Sequence, residues 1–423
     1  MMKIIRYVLF ACSFSLILPI YGQSPAFKKR IPLLGQPGTW NEVILNDSVL
    51  SEVNIRMSDI RIWGHSPDGD TIEAPFLIRH FPSNREAENY EFTLLNKGLT
   101  EGKHTFTFKL NEAAEYNQVN LDILNANFDW KVKVEGSLDQ HSWTQLVDNY
   151  RIVGFDFKDL SVGNDTDVEY PPYRFTKLVF PLTNFPYLRI SMSGVAAPQL
   201  GKATISKIKF NPAVYDDIKA ESLIFPDSKN KKETVIEIPL PSRIPVNYLK
   251  LKFSDTVDFI RNASIFYLSD SVQTENGWIR NYRAIDEMFV SSFEENEFEF
   301  SGVFTSLIRV VIHNQDNLPL ELSSVKLRKY RYQVIFRAAG EGLAYYLYYG
   351  SENAFSPQYD IVNFEEKISK TPVKLELGTP ESIYKKKKRI APLFDNPFLM
   401  WGLLGVVALL LGFFTIKMLK GTD

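Results

Sequence analysis

Metal or acid–base chemistry in this chain would have to rest on five histidines, His65, His80, His104, His141 and His313. Their spacing offers neither: no His-x-x-x-His pair and no His-Glu-x-x-His run occurs, so the helical zinc patterns are missing. The single cysteine, Cys12, sits in the apolar leader, which leaves the rest of the chain without a disulfide, a thiolate ligand or a cysteine nucleophile. There is no Gly-x-Ser-x-Gly elbow and no phosphate-cradling glycine loop. Paired carboxylates remain, since a glycosidase needs two of them about 5–10 Å apart. With 50 acidic residues, pairs are unavoidable and sequence fixes no separation. No catalytic residue is assigned, and the residues point away from an enzyme.

Binding chemistry has better carriers. The loop 162–173, VGNDTDVEYPPY, collects Asn164, Asp165 and Asp167, hard oxygen donors that suit Ca²⁺, beside Tyr170 and Tyr173. It lacks the regular Asp-x-Asp-x-Asp-Gly spacing, so calcium is the one cofactor considered, and a plain solvated hairpin is the competing reading. Trp130, His141 and Trp143 flank one alternating segment, where an exposed ring would stack on a sugar; the alternative is that both tryptophans pack in the core. Trp143 has a counterpart in Trp278, which favours a structural role for it. The run Tyr345, Tyr346, Tyr348 and Tyr349 points two tyrosines to each face if extended, one pair inward and the other toward solvent, a neighbouring domain or a partner.

The elements that must position these residues are strands. His104–Leu110, Trp130–Glu135 and Thr234–Leu240 alternate with a period of two, and turn residues recur at short intervals. Aromatic content of 13%, with 31 Phe and 20 Tyr, fits strands and excludes disorder. One series of segments, at 107–110, 119–124 and 131–139, returns at 237–240, 246–251 and 263–270; the closing pairs 187–190/205–210 and 307–310/325–327 follow in the same order. The expected fold is all-β, with tandem β-sandwiches at 99–213 and 214–337. They are preceded by an N-terminal β domain (23–98) and followed by a short β segment (338–378).

The ends carry the address. Lys3 and Arg6, an apolar run and small Gly22 read as a signal peptide over 1–22. Residues 398–416 are 19 uncharged positions, a helix roughly 28 Å long, within an expected transmembrane span of 398–418. A basic linker (379–397) precedes it and a short tail (419–423) follows. The run Lys385–Arg389 would by charge bias lie in the cytoplasm, but long domains translocate largely regardless of such charges, so the body is expected outside. Gly402, Gly405 and Gly412 do not make a Gly-x-x-x-Gly pairing motif. A net charge of −2 gives no field for nucleic acid.

The segment KVKVEGSLDQHSWTQL (131–146), with the strand PYLRI (186–190), resembles the galactose-binding, discoidin-like jelly roll. Ser58-Asp-Ile-Arg-Ile62, together with the stretch Tyr346 to Ile361, resembles a bacterial envelope family, domain of unknown function 3999. The resemblance implies tandem jelly rolls held in the periplasm by one inner-membrane span, and it transfers no catalytic residues. The function expected is a non-catalytic, membrane-anchored protein that binds a glycan or an envelope protein. The alternatives are an accessory or enzymatic component of carbohydrate or cell-wall metabolism and a structural subunit of an inner-membrane complex.

Overall fold

The computed structural model describes residues 27–157, 171–226, 232–275, 277–383 and 397–419. In chain order, β1 (Lys29–Leu34), β2 (Trp40–Ile44), β3 (Arg61–His65), β4 (Thr71–Ala74) and β5 (Phe76–Arg79) come first, with a short helix, α1 (Asp47–Leu50), after β2. Next come β6 (Asn84–Tyr90), β7 (Phe92–Thr100), β8 (Lys103–Leu110), β9 (Tyr116–Ile123), β10 (Phe128–Ser137) and β11 (Trp143–Phe155). They are followed by β12 (Tyr173–Phe175), β13 (Lys177–Thr183), β14 (Tyr187–Ser193) and β15 (Leu200–Asn211). The third group is β16 (Tyr215–Ile218), β17 (Glu233–Phe253), β18 (Ile260–Thr274), β19 (Gly277–Ser291), β20 (Asn296–His313) and β21 (Leu322–Tyr330). Last are β22 (Gln333–Arg337), β23 (Ala344–Tyr349), β24 (Val373–Lys374), β25 (Glu376–Leu377), β26 (Glu381–Ser382) and helix α2 (Pro397–Leu419).

Among the described residues the chain is all-β apart from α1, a 3₁₀ stretch at Asp360–Lys367 and α2. Two sandwiches repeat one plan. In the first, β13-β9-β15-β6 faces a sheet ordered β12-β11-β10-β14-β8-β7, and successive strands cross between layers as in a jelly roll. In the second, β17 and β20 each run through both layers. Their first and second halves reproduce β8/β9 and β13/β14, giving layers ordered β20-β17-β21-β16 and β19-β18-β20-β17. The β17–β20 pairing breaks register between Pro239 and Ile244, where prolines cannot donate to the ladder. At a second register shift, between Val246 and Tyr248, lies Gly302, at φ +100°, where a Cβ would meet the Asn247 amide at 2.5 Å. A bent ribbon in one copy thus does the work of four strands in the other.

The division at residue 98 and the separate 338–378 segment are not what the pairing shows. β6 and β7 belong to the first tandem sandwich, pairing with β15 and β8. β23 lies between β1 and β3, and β22 between β2 and β5, so the two ends of the body build one sandwich into which the tandem pair is inserted. Its sheets, β25-β1-β23-β3-β4 and β24-β2-β22-β5, share a core of Ile31, Val43, Ile62, Val334, Phe336 and Leu347. That placement also corrects the tyrosine run. Tyr345 and Tyr349 face the core, and the Tyr345 hydroxyl accepts from the Ala339 amide at 2.8 Å. Tyr348 is covered by Trp63 and Phe27, with ring centroids 4.5 and 5.9 Å away. Tyr346 is half-buried beneath Arg30. A central strand with its rings covered offers a partner no edge and little surface.

The tandem sandwiches meet at Tyr173, whose hydroxyl lies 3.0 Å from Ser291 Oγ and donates to Glu294 at 2.9 Å. Its ring packs against Phe289 and Phe293, and Arg151 bridges to Asp258 at 2.8 Å. Burial pushes the Tyr173 phenol well above its ordinary range. Tyr173→Phe keeps the ring and strands both partners, so it should lower stability by roughly 1–3 kcal/mol in a denaturant melt. Tyr173→Ser, which also removes the ring, should cost more.

Helix α2 is the one helix among the described residues long and apolar enough to cross a membrane, and its side chains described in the structure are exposed. At 23 residues it is about 34 Å long. The leader over 1–22 and the basic run 385–389 lie outside the described residues.

Candidate functional site

Alternation on the outer face of the discontinuous sandwich builds a cleft. In β22, Val334 and Phe336 point into the core, so Ile335 and Arg337 point out; in β2, Asn41 and Val43 point in and Trp40 points out. Trp40 and Arg337 are direct register partners, which sets their side chains beside one another on the same face. Trp40 is held there by its neighbour: the buried Asn41 amide accepts from the Gly38 N–H at 2.8 Å and donates to the Gly38 carbonyl at 2.9 Å, closing the turn before the strand. Gly38 fits closely there: a Cβ would meet the Val373 side chain at 2.7 Å, and the valine would have to shift.

A 3₁₀ stretch, Asp360–Lys367, lies across this face. Ile361 and Ile368 rest on Leu77 and Ile335, and Arg79 holds Glu365 at 2.9 Å. The coverage stops short of the Trp40–Arg337 end. There it leaves a cleft of about 580 Å³, walled by Trp40, Pro75 and Arg337 on one side and by Gln358 to Ile361, Phe364 and Lys367 on the other. That size lies within the roughly 300–1,000 Å³ usual for small-ligand sites.

The far wall is latched by the motif Ser58-Asp59-Ile60-Arg61. Asp59, buried, accepts from the Asn54 and Gly350 amides at 3.0 and 3.1 Å. Ser58 Oγ donates to the Ala354 carbonyl at 3.1 Å. The Arg61 guanidinium donates to the Phe355 carbonyl at 2.6 Å and to the Ser58 carbonyl at 2.9 Å, and pairs with Glu73 at 3.3 Å. Glu73 in turn accepts from the Tyr359 hydroxyl, and the Tyr359 ring sits 5.3 Å from Phe76. Burial, with Glu73 alongside, raises the Tyr359 phenol far above its ordinary value, so this ring is a neutral wall at any working pH. The two segments of the envelope-family resemblance, 58–62 and 346–361, are therefore the latch and the arm that carries Tyr359 into the cleft.

Inside it, polar groups are uncommitted. Arg337 and Lys367 have no carboxylate within 4 Å among the described residues, and neither Gln358, Asp360 nor the Trp40 indole N–H has a hydrogen-bond partner there. Lys367 Nζ stands 4.5 Å over the Phe364 ring.

The residues singled out for binding from sequence are not brought together. Trp130 is in the core, 1% exposed, stacked on Phe128 at 4.5 Å, with its indole N–H donating to the Ala196 carbonyl at 2.9 Å. Gly194 makes room for it, since a Cβ there would lie 2.0 Å from the ring. Trp130 therefore presents no face to a sugar. Tyr173 is spent on the contact between sandwiches. His141 is exposed on the turn after β10, with Nδ1 2.7 Å from the Asp139 carbonyl. Trp143 lies beneath Arg189 at 4.1 Å. Its structural counterpart is Tyr282, not Trp278: Ser137 pairs with Trp143 as Leu268 pairs with Tyr282, and Arg309 covers Tyr282 at 3.6 Å. Trp278 is instead 63% exposed near the tip of the longer β18–β19 hairpin. Asn164, Asp165, Asp167 and Tyr170 lie outside the described residues, and among those described no group of three His, Cys, Asp or Glu is placed to hold a metal.

No protein-family model matches this sequence, and no curated protein matches it significantly. Among solved structures, the CBM32-1 and CBM32-2 domains of Clostridium perfringens ZmpB are 7% identical with a TM-score of 0.19, over 63% of this chain and 94% of that one. A fucolectin from striped bass (Morone saxatilis) serum is 11% identical with a TM-score of 0.19, over 60% and 99%. A glycoside hydrolase 29 family member from an unknown rumen bacterium is 12% identical with a TM-score of 0.19, and this chain spans only 40% of its length. Likenesses of this degree say nothing of a ligand; what the cleft can hold follows from its own residues.

Proposed function

We propose that this protein is a membrane-tethered, non-catalytic glycan-binding protein of the cell envelope, and that the cleft between Trp40, Arg337 and the 358–367 wall is its binding site. The observation that carries this is the lining itself: aromatic faces at Trp40, Tyr359 and Phe364 interleaved with free donors and one free carboxylate. A sugar ring offers an apolar C–H face to an aromatic plane and a rim of hydroxyls to side chains such as these. Helix α2 is the tether, with the body on the periplasmic side. Only 13 residues separate Ile383 from Pro397, a reach of at most about 45 Å, so the cleft-bearing sandwich is the membrane-proximal one. Membership of the domain of unknown function 3999 family belongs to this proposal, supported by its two motifs meeting as latch and arm.

Full-length protein in detergent should bind members of an immobilised glycan panel without consuming them. Deleting 398–418 should release the body from membranes and leave that binding intact. Hydrolysis abolished by a single carboxylate change would overturn the non-catalytic assignment.

A second reading, a scaffold subunit of a membrane complex, has one feature in its favour. The hairpin arm at 269–281 leaves Val272, Trp278 and Ile279 about half exposed or more. Deleting that arm should abolish co-purification of a partner under the scaffold reading and leave glycan binding untouched under the first.

A further inference from the structure

We infer that the sugar held by this cleft is acidic, a saccharide of the uronic-acid class. The inference rests on the saccharide reading above and goes further in naming the charge its ligand carries.

Ion pairing is the rule on this sandwich. Arg30 is held by Glu381, Arg61 by Glu73, Arg79 by Glu365 and Lys29 by Glu52. Arg337 and Lys367 have no such partner among the described residues, as Arg56 and Lys370 have none, but these two lie together in the cleft. The hydrogen-bond inventory agrees with the charge. Arginine and lysine side chains and the indole N–H only donate, so Arg337, Lys367 and Trp40 are three donor-only groups, against the single acceptor-only group, Asp360. Gln358 serves either way. A neutral hexose, whose hydroxyls donate as readily as they accept, would find too few acceptors here, whereas a carboxylated one supplies acceptors alone at its exocyclic carbon.

Geometry places the charge where such a ligand needs it. Trp40 and Arg337 are paired across the ladder, so a ring stacked on the indole has the guanidinium at its edge. There, two parallel N–H groups match the two oxygens of a carboxylate. Lys367, poised over Phe364 on the opposite wall, provides a second cationic point for the next residue of an oligomer.

The test compares two probes that differ only at the exocyclic carbon, tetragalacturonate and tetragalactose, titrated into full-length protein in detergent at low salt. Wild type should bind the acidic tetramer about tenfold or more tightly than the neutral one. The double variant Arg337→Gln, Lys367→Gln should lose that preference, its affinity for the acidic tetramer falling to that for the neutral one. Arg337→Lys, which keeps charge without the fork, should fall between. These side chains lie at the surface of the cleft, and an unchanged thermal melt confirms that the variants fold. Equal binding of both tetramers by wild type, or an acidic preference surviving in the double variant, would overturn the inference while leaving the saccharide site standing. Binding that persists unchanged for both probes in Trp40→Ala, or binding of neither probe by wild type, would overturn the site and the inference together.

Discussion

Glu237→Ala should destabilise the second tandem sandwich at the lower end of the roughly 3–5 kcal/mol that breaking a buried ion pair costs. Glu237 is 3% exposed and receives Arg309 Nε at 3.1 Å, the Tyr282 hydroxyl at 2.8 Å and Arg280 at 3.2 Å. The alanine leaves Arg309 pinned over the Tyr282 ring without its counter-charge. Arg309 and Arg280 keep 29% and 50% exposure, so water recovers part of the loss. Glu237→Gln, which retains acceptor geometry, should cost less. The first sandwich holds a corresponding group, in which the buried Glu135 pairs with Arg189 and Lys133 and Arg189 covers Trp143. Arg189 and Arg309 occupy matching positions, but their carboxylates come from different neighbouring strands.

The same network sets a pH dependence. Burial opposes ionisation of Glu237, but hydrogen bonds from Arg309 and Tyr282 and the charges of Arg309 and Arg280 outweigh it and hold the carboxyl below its ordinary 4.5. Glu135 is depressed against the same burial, by Lys133 and Arg189. A group depressed in the folded state stabilises it above the unfolded pKa, and that contribution is lost as pH falls through the folded value. Thermal midpoints should therefore hold steady above pH 4.5 and fall below it, with a shallower acid limb in Glu237→Ala. A midpoint indifferent to acid in wild type would contradict the assignment.

Trp40→Ala should weaken glycan binding by about 30-fold or more, the loss expected when an aromatic anchor worth roughly 2 kcal/mol is truncated. Its effect on the fold should be modest, because Trp40 is only half-buried, against the small cluster of Leu77, Ile335 and Ile368. Isothermal titration paired with a thermal melt separates the two quantities. A large drop in stability with unchanged affinity would make Trp40 a packing residue instead.

Strand alternation and the repeat made the tandem sandwiches legible in sequence, because a half-buried strand must write its two faces into a period of two. The boundaries were not legible. Whether β23 forms its own segment or closes a sandwich begun about 300 residues earlier depends on pairing, and Ala344–Tyr349 reads alike in both cases. The same distance hid the cleft. Trp40 and Arg337 become neighbours only through ladder register, and neither belongs to a local motif. What sequence did hold was the frame, Ser58-Asp-Ile-Arg61 and the run to Tyr359, whose buried hydrogen bonds need particular side chains. Trp130 misled for a physical reason: a tryptophan in an alternating strand reads the same whether its ring faces a sugar or the core. The choice was made by Gly194, across the ladder and far along the chain. Trp143 and Trp278 look equivalent by order alone, but the longer hairpin in the second copy moves the equivalence to Tyr282.

The most direct test of the cleft as the binding site is fluorine NMR of full-length protein carrying 5-fluorotryptophan, titrated with the tightest-binding oligosaccharide. The chain has six tryptophans, each assignable by substitution with phenylalanine. The Trp40 resonance should shift on saturation while those of Trp130, Trp143 and Trp278 stay in place. A shift at Trp143 or Trp278 with Trp40 unmoved would put the ligand on the tandem sandwiches and contradict the account.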